Sequence, residues 1–236
     1  MSADLNAIDM ERFVAALSQV MQPPFQIIQR VVNNHYQFAI AHSPSEVHSD
    51  DEPPFRLTAE AEVIPIDRVL GTYDPDVQQI TIFRKGIDLV AEILKLRPRD
   101  VEFVVRLHEW AHALLHIGLP EAERISVTRD ESLWPSCLAR SNDWFKGQDP
   151  HLHEALAQLL THHGLGWLRS QTTLPEAQAT VERISHVFER LTAAAPGEYH
   201  IDQYSGSPTN RVVESIHLLK VATLIGFDAW KTVMTW

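Results

Sequence analysis

The sequence contains a single cysteine, Cys137, in 236 residues, so no internal disulfide can staple the fold and the composition fits a reducing compartment. Basic charge is also scarce. Twenty Lys and Arg against thirty-one Asp and Glu give a formal net charge of -11, which argues against nucleic acid or an anionic membrane surface as the main partner. No charge-free apolar run approaches the roughly 20 residues that span a bilayer. The first residues carry Asp4, Asp9 and Glu11 where a secretory signal has a basic start and an apolar stretch. Internal repeats and low-complexity tracts are missing as well. What is present, 44% hydrophobic and 22% charged residues, is the composition of a globular protein with a buried core. The expectation is a cytoplasmic protein, bacterial in style, forming one domain over 1–236.

Along the chain, Ile8 to Val20 repeats apolar residues at helical spacing and Pro23-Pro24 closes it, and Phe25 to Ala41 reads as a second helix. Ser43 to Pro54 is rich in Pro, Ser and acidic residues and reads as a solvated, flexible junction. The period then changes to two over Leu57 to Ile64, the mark of a strand with one wetter face. Val69 to Tyr73, Asp74-Pro75-Asp76 and Val77 to Phe83 read as a hairpin with a proline-set turn. Helices are expected over Ile87 to Leu96, from Pro98 to Gly118, from Pro150 to His163 before Gly164, from Pro175 to Ala195 and from Arg211 to Thr232. The connection from Leu119 to Gln148 has no clear pattern. These elements describe an α+β protein with N-terminal helices over 1–42, a small, mostly antiparallel sheet plus a central helix over 55–118, and a helical C-terminal lobe over 119–236.

The chemistry lies in His108-Glu109-Trp110-Ala111-His112, an H-E-x-x-H sequence on the Pro98 helix. Residues four apart on a helix share a face, so both imidazoles can meet one metal ion, and Glu109 stands one position along, placed to take a proton from water. Zinc, one per chain, is the metal this pattern favours, because it lowers the pKa of bound water toward roughly 7. In a chain with thirteen histidines the bare motif arises by chance in roughly one sequence in twenty, so its context has to support it. Val105, Leu107, Ala111, Ala113 and Leu114 supply the expected uncharged helix. Arg106 departs from that pattern, and Glu102, four residues earlier, could pair with it. The competing reading puts Glu109 on a solvated stripe with Arg99, Glu102 and Arg106. His116 lies two turns beyond His108, too far to share its ion, and reads as a packing or outer-shell histidine.

Two histidines leave a zinc site one protein ligand short. A histidine six residues after His112 would make a metzincin, but Gly118 stands there. The better candidate is Glu154, preferred over Glu121, Glu123, Glu131 and Asp143. It is the only charged residue of the Pro150 to His163 helix. Its own face carries Ala157, Gln158 and Thr161, and leucines line the other side, so the helix looks sandwiched and its carboxylate needs a partner. A half-exposed surface glutamate is the bland alternative. His151, His153, His162 and His163 read as solvated helix-end histidines rather than a second metal site.

With these residues in place the sequence resembles the gluzincins, zincin-like metallopeptidases with H-E-x-x-H on one helix and a glutamate ligand on a later one. The resemblance covers roughly Leu57 to His163 and is closest to a small, minimal bacterial gluzincin. It implies a zincin-like fold, with His108, His112 and Glu154 as zinc ligands, Glu109 as general base, and Gln158 holding a histidine ligand in place. It also implies a peptide or protein substrate added as a strand along the Gly71 to Phe83 hairpin, with Gly71, Thr72 and Tyr73 as contact residues. A donor for the oxyanion is needed, and the loop Gly197 to Tyr204 offers Tyr199, His200 and Tyr204. The reading is thus a zinc metallopeptidase. Two rivals stand beside it: a latent zincin-like domain, and a non-catalytic helical interaction module using the apolar stretch Ala222 to Trp236, with a protein partner or a second copy of the chain.

Overall fold

The computed structural model describes residues 26–27, 38–51, 70–148 and 150–195. The expected Ile8 helix, the Leu57 strand, the Arg211 helix, the loop with Tyr199, His200 and Tyr204, and the apolar stretch Ala222 to Trp236 lie outside the described residues.

Two short strands open the described chain. β1 (Phe38–Ile40) and β2 (Ser45–Ser49) fall where the sequence suggested the end of a helix and a flexible junction. Both corrections have one cause, which is pairing with distant segments that leave no local mark. β2 keeps the polar composition of a junction because its side chains are mostly exposed, but its backbone pairs in parallel with β4 from Ser45 opposite Gln79 to Ser49 opposite Phe83. β3 (Gly71–Asp74) and β4 (Gln79–Phe83) form the expected hairpin. The Asp74 carboxylate accepts the N–H of Asp76 at 2.8 Å, which fixes the turn, and Gln78 takes a left-handed φ of 51° before the chain re-enters the sheet. The three-stranded sheet therefore runs β2-β4-β3 and is mixed rather than mostly antiparallel.

α1 (Arg84–Leu94) follows β4 directly and ends at Lys95, whose φ of 55° turns the chain out of the helix. α2 (Pro98–Ile117) has its proline in the first turn, where the missing N–H costs nothing, and Asp100 complements the positive helix end. Gly118 does not cap it in a left-handed conformation. It starts β5 (Gly118–Pro120), which pairs antiparallel with β1 as a separate two-stranded sheet. The connection without a clear pattern is itself helical, with α3 (Glu121–Arg129) and α4 (Trp134–Lys146). α5 (Pro150–Gln171) runs past the expected stop at Gly164 by two turns, and α6 (Pro175–Ala194) closes the described chain. A helical glycine costs only about 1 kcal/mol, and burial of Leu165 and Leu168 beyond it outweighs that.

Among the described residues α2 is the central element. Every residue from Leu107 to Ile117 is buried, since the sheet covers one side and α4, α5 and α6 cover the others. Fully enclosed side chains such as Leu107, Leu114 and Leu115 each contribute roughly 1.5–3 kcal/mol of transfer free energy. The architecture is α+β and predominantly helical, and among the described residues no helix is long and apolar enough to cross a membrane.

Candidate metal centre

The H-E-x-x-H segment occupies the middle of α2, where helical spacing puts His108 and His112 on one face. α5 crosses that face and brings Glu154 to it. Nε2 of His112 lies 3.0 Å from Nε2 of His108, and the Glu154 carboxylate completes the triangle, with Oε2 3.1 Å from His108 Nε2 and Oε1 3.4 Å from His112 Nε2. Among the described residues these three form a group whose ligand atoms all lie within 4.8 Å of one another, and the group could hold a metal ion. Burial by itself would raise the Glu154 carboxyl, but the imidazoles of His112 and His108 outweigh it and hold the group well below the usual carboxylate range.

Glu109 is 2% exposed, which overturns the solvated-stripe reading of the motif. Arg106 explains why that reading looked plausible. Its guanidinium does not pair with Glu102 but reaches across to Glu46 on β2, with Nη2 2.8 Å from Oε1, and Trp110 Nε1–H donates to the other Glu46 oxygen at 2.8 Å. Glu102 instead faces His48, 3.8 Å away. The charge at position 106 therefore ties the helix to the sheet and leaves the side carrying His108 and His112 undisturbed.

A cleft of about 390 Å³ opens beside the cluster, with Glu109, His112 and Glu154 on its floor and Thr72 and Tyr73 of β3 on one wall. The expected contact residues thus separate. Thr72 and Tyr73 face the cleft, whereas Gly71 is buried against α2, where a Cβ would stand 2.9 Å from Oε1 of Glu109 and 2.8 Å from Cγ1 of Val105. Beside them the wall is continued by the stretch without a clear pattern, with Phe145 and Lys146 at the end of α4. Two carboxylates in the cleft face one ammonium, Lys146, which is itself paired with Asp76 in the hairpin turn.

Around the cleft, three elements meet at His116. It is fully buried, its Nε2–H donates to Asn142 Oδ1 at 2.5 Å, and its Nδ1 accepts the Tyr73 hydroxyl at 2.8 Å. Burial, reinforced by the charge of Asp74, keeps that hydroxyl protonated well above the usual phenol range. From the sequence His116 reads as a packing or outer-shell histidine with no partner, because Tyr73 and Asn142 are distant in the chain. His153 is not a solvated helix-end residue: it is buried, donates from Nε2 to the Phe145 carbonyl at 2.8 Å and packs against the Phe145 ring at a tilt of 43°. Gln158, one turn after Glu154, is also buried.

No protein-family model, curated protein or solved structure matches the chain.

Proposed function

We propose that this protein is a zinc-dependent metallohydrolase, and specifically a peptidase. The observation that carries the reading is the meeting of His108, His112 and Glu154 from two helices beside a buried Glu109. Zinc fits these donors. Bonds of about 2.0–2.1 Å to nitrogen and oxygen place tetrahedral ligands roughly 3.3 Å apart; the two imidazole nitrogens stand 3.0 Å apart, with one Glu154 oxygen 3.1 Å from His108 and the other 3.4 Å from His112. The charge also suits a dication, since two carboxylates share the cleft with one already paired lysine. When bound, the metal would polarise a carbonyl and acidify water.

The chain's own residues supply the rest. Glu109 follows His108 directly on α2, so its carboxylate reaches the cleft next to the ligands, where it takes the proton of the attacking water and passes it to the leaving amine nitrogen. Burial keeps this carboxylate away from competing solvent. A peptide rather than another substrate is supported by β3, which lies at the edge of the described sheet with Thr72 and Tyr73 on the cleft wall. An extended backbone can pair with such an edge and bring its carbonyl over the cluster.

The test is metal content by elemental analysis on protein purified without a metal-affinity tag. About one zinc per chain is expected, lost in His112→Ala and weakened in Glu154→Gln. Glu109→Gln should keep the metal and lose hydrolysis of a casein or peptide-library substrate. A chain that takes up no zinc when offered it refutes the enzyme reading, and a loaded chain in which Glu109→Gln changes nothing refutes the peptidase step.

A further inference from the structure

A further cleft among the described residues lies apart from the metal centre. It measures about 540 Å³ and lies where the turn between α1 and α2 meets α6. Its walls carry Lys95, Arg97, Arg183 and Arg190, together with a single carboxylate, Asp100. That carboxylate is already neutralised: Arg183 donates to it twice, from Nε at 2.6 Å and from Nη2 at 3.3 Å. Three formal positive charges remain on one cleft of a chain whose net charge is -11.

The four cations are not equivalent. Arg183 is fixed by Asp100 and keeps N–H donors to spare, whereas Arg190 is exposed and makes one donation, from Nη2 to the Leu94 carbonyl at 3.4 Å. Lys95 and Arg97 are exposed and meet no carboxylate among the described residues. Lys95 turns in a left-handed conformation and Arg97 has extended backbone, and both line the cleft on its exposed side. The positive end of α2 and the negative end of α1 meet at this cleft and offset one another, so the side chains set its field. Repulsion among such groups is relieved by an anion of more than one charge, and the guanidinium N–H groups not taken by Asp100 suit the tetrahedral oxygens of phosphate.

We infer that this cleft binds a polyphosphate group, either free or as part of a nucleotide. The probe is inorganic pyrophosphate, titrated calorimetrically into the full chain after chelator dialysis, so that no bound metal can hold the anion. One pyrophosphate per chain should bind, with an affinity that falls as salt is raised. Lys95→Gln/Arg97→Gln should weaken it about tenfold or more while the thermal midpoint of the unliganded chain stays unchanged, because both residues are exposed. Lys146→Gln, at the other cleft, should leave binding intact. ADP binding more tightly than pyrophosphate would assign the site to a nucleotide, using the apolar wall at Leu94 and Val187, and weaker ADP binding would assign it to free polyphosphate. Absence of binding overturns the inference, and so does binding that survives the double substitution or is lost in Lys146→Gln.

Discussion

The Tyr73 hydroxyl lies 2.8 Å from Nδ1 of His116, so a residue on the cleft wall is held by a histidine that no solvent reaches. Because His116 Nε2–H donates to Asn142, Nδ1 is the acceptor and the tyrosine is the donor. β3, α2 and α4 are thereby joined through one imidazole.

Tyr73→Phe removes the hydroxyl and keeps the ring. It should destabilise the chain by about 1–2 kcal/mol, the cost of a buried ring nitrogen that loses its donor. Urea denaturation with an unchanged slope would measure it, and a loss below about 0.5 kcal/mol would show that this contact does not hold the wall.

Gly71→Ala acts on Glu109 from behind. The added methyl would meet Val105 and Glu109 closer than a Cβ can tolerate, so both side chains must shift. The cost should be about 1–3 kcal/mol of stability. Zinc content should stay at the wild-type level while turnover falls, because the His108, His112 and Glu154 side chains are untouched. Turnover unchanged in a folded Gly71→Ala protein would count against Glu109 as the base.

Zinc uptake should appear as stability. A ligand that binds only the folded chain adds about 2.7 kcal/mol at one hundred times its dissociation constant, so the thermal midpoint should climb with added zinc and drop back with chelator. His112→Ala should abolish the response. A midpoint indifferent to zinc in the wild-type chain would contradict the three-ligand site.

Acid should weaken the fold through α5. Burial, with His162 beside it, pushes the His163 imidazole down to about 4, against roughly 6.5 in the unfolded chain. Between those values the unfolded chain takes up a proton that the folded chain refuses, so stability falls as pH drops from about 6.5 to 4 and is fully present above that window. His162 is shifted in the same direction by its own burial and by Arg169. The slope is at most about 1.4 kcal/mol per pH unit for one group, and less for a half-buried one. His163→Gln should flatten the pH dependence of the urea midpoint across that window, and an unaltered slope would place the acid sensitivity elsewhere.

Much of the site was legible because its signals are local. Pro98 and the spacing of His108 and His112 place the motif on a helix, and the lone Glu154 on a leucine-backed helix marks a carboxylate that needs a partner. The Asp74-Pro75-Asp76 turn likewise announces its hairpin. Arg106 misled in the opposite way: a charge four residues from Glu102 looks like a helix-surface pair, yet its partner Glu46 is sixty residues away in the chain.

By itself, then, the sequence determined which helix carries the histidines, where the β3–β4 hairpin turns and which acid was a candidate third ligand, since periodicity, capping and turn chemistry act over a few residues. The tertiary structure alone decided that β2 runs parallel to β4, that β1 pairs with β5, and that Glu109 is enclosed rather than solvated. It also decided that Tyr73, His116 and Asn142 meet. Each of those outcomes depends on segments brought together by burial of a shared core around α2, and no window of sequence contains both partners.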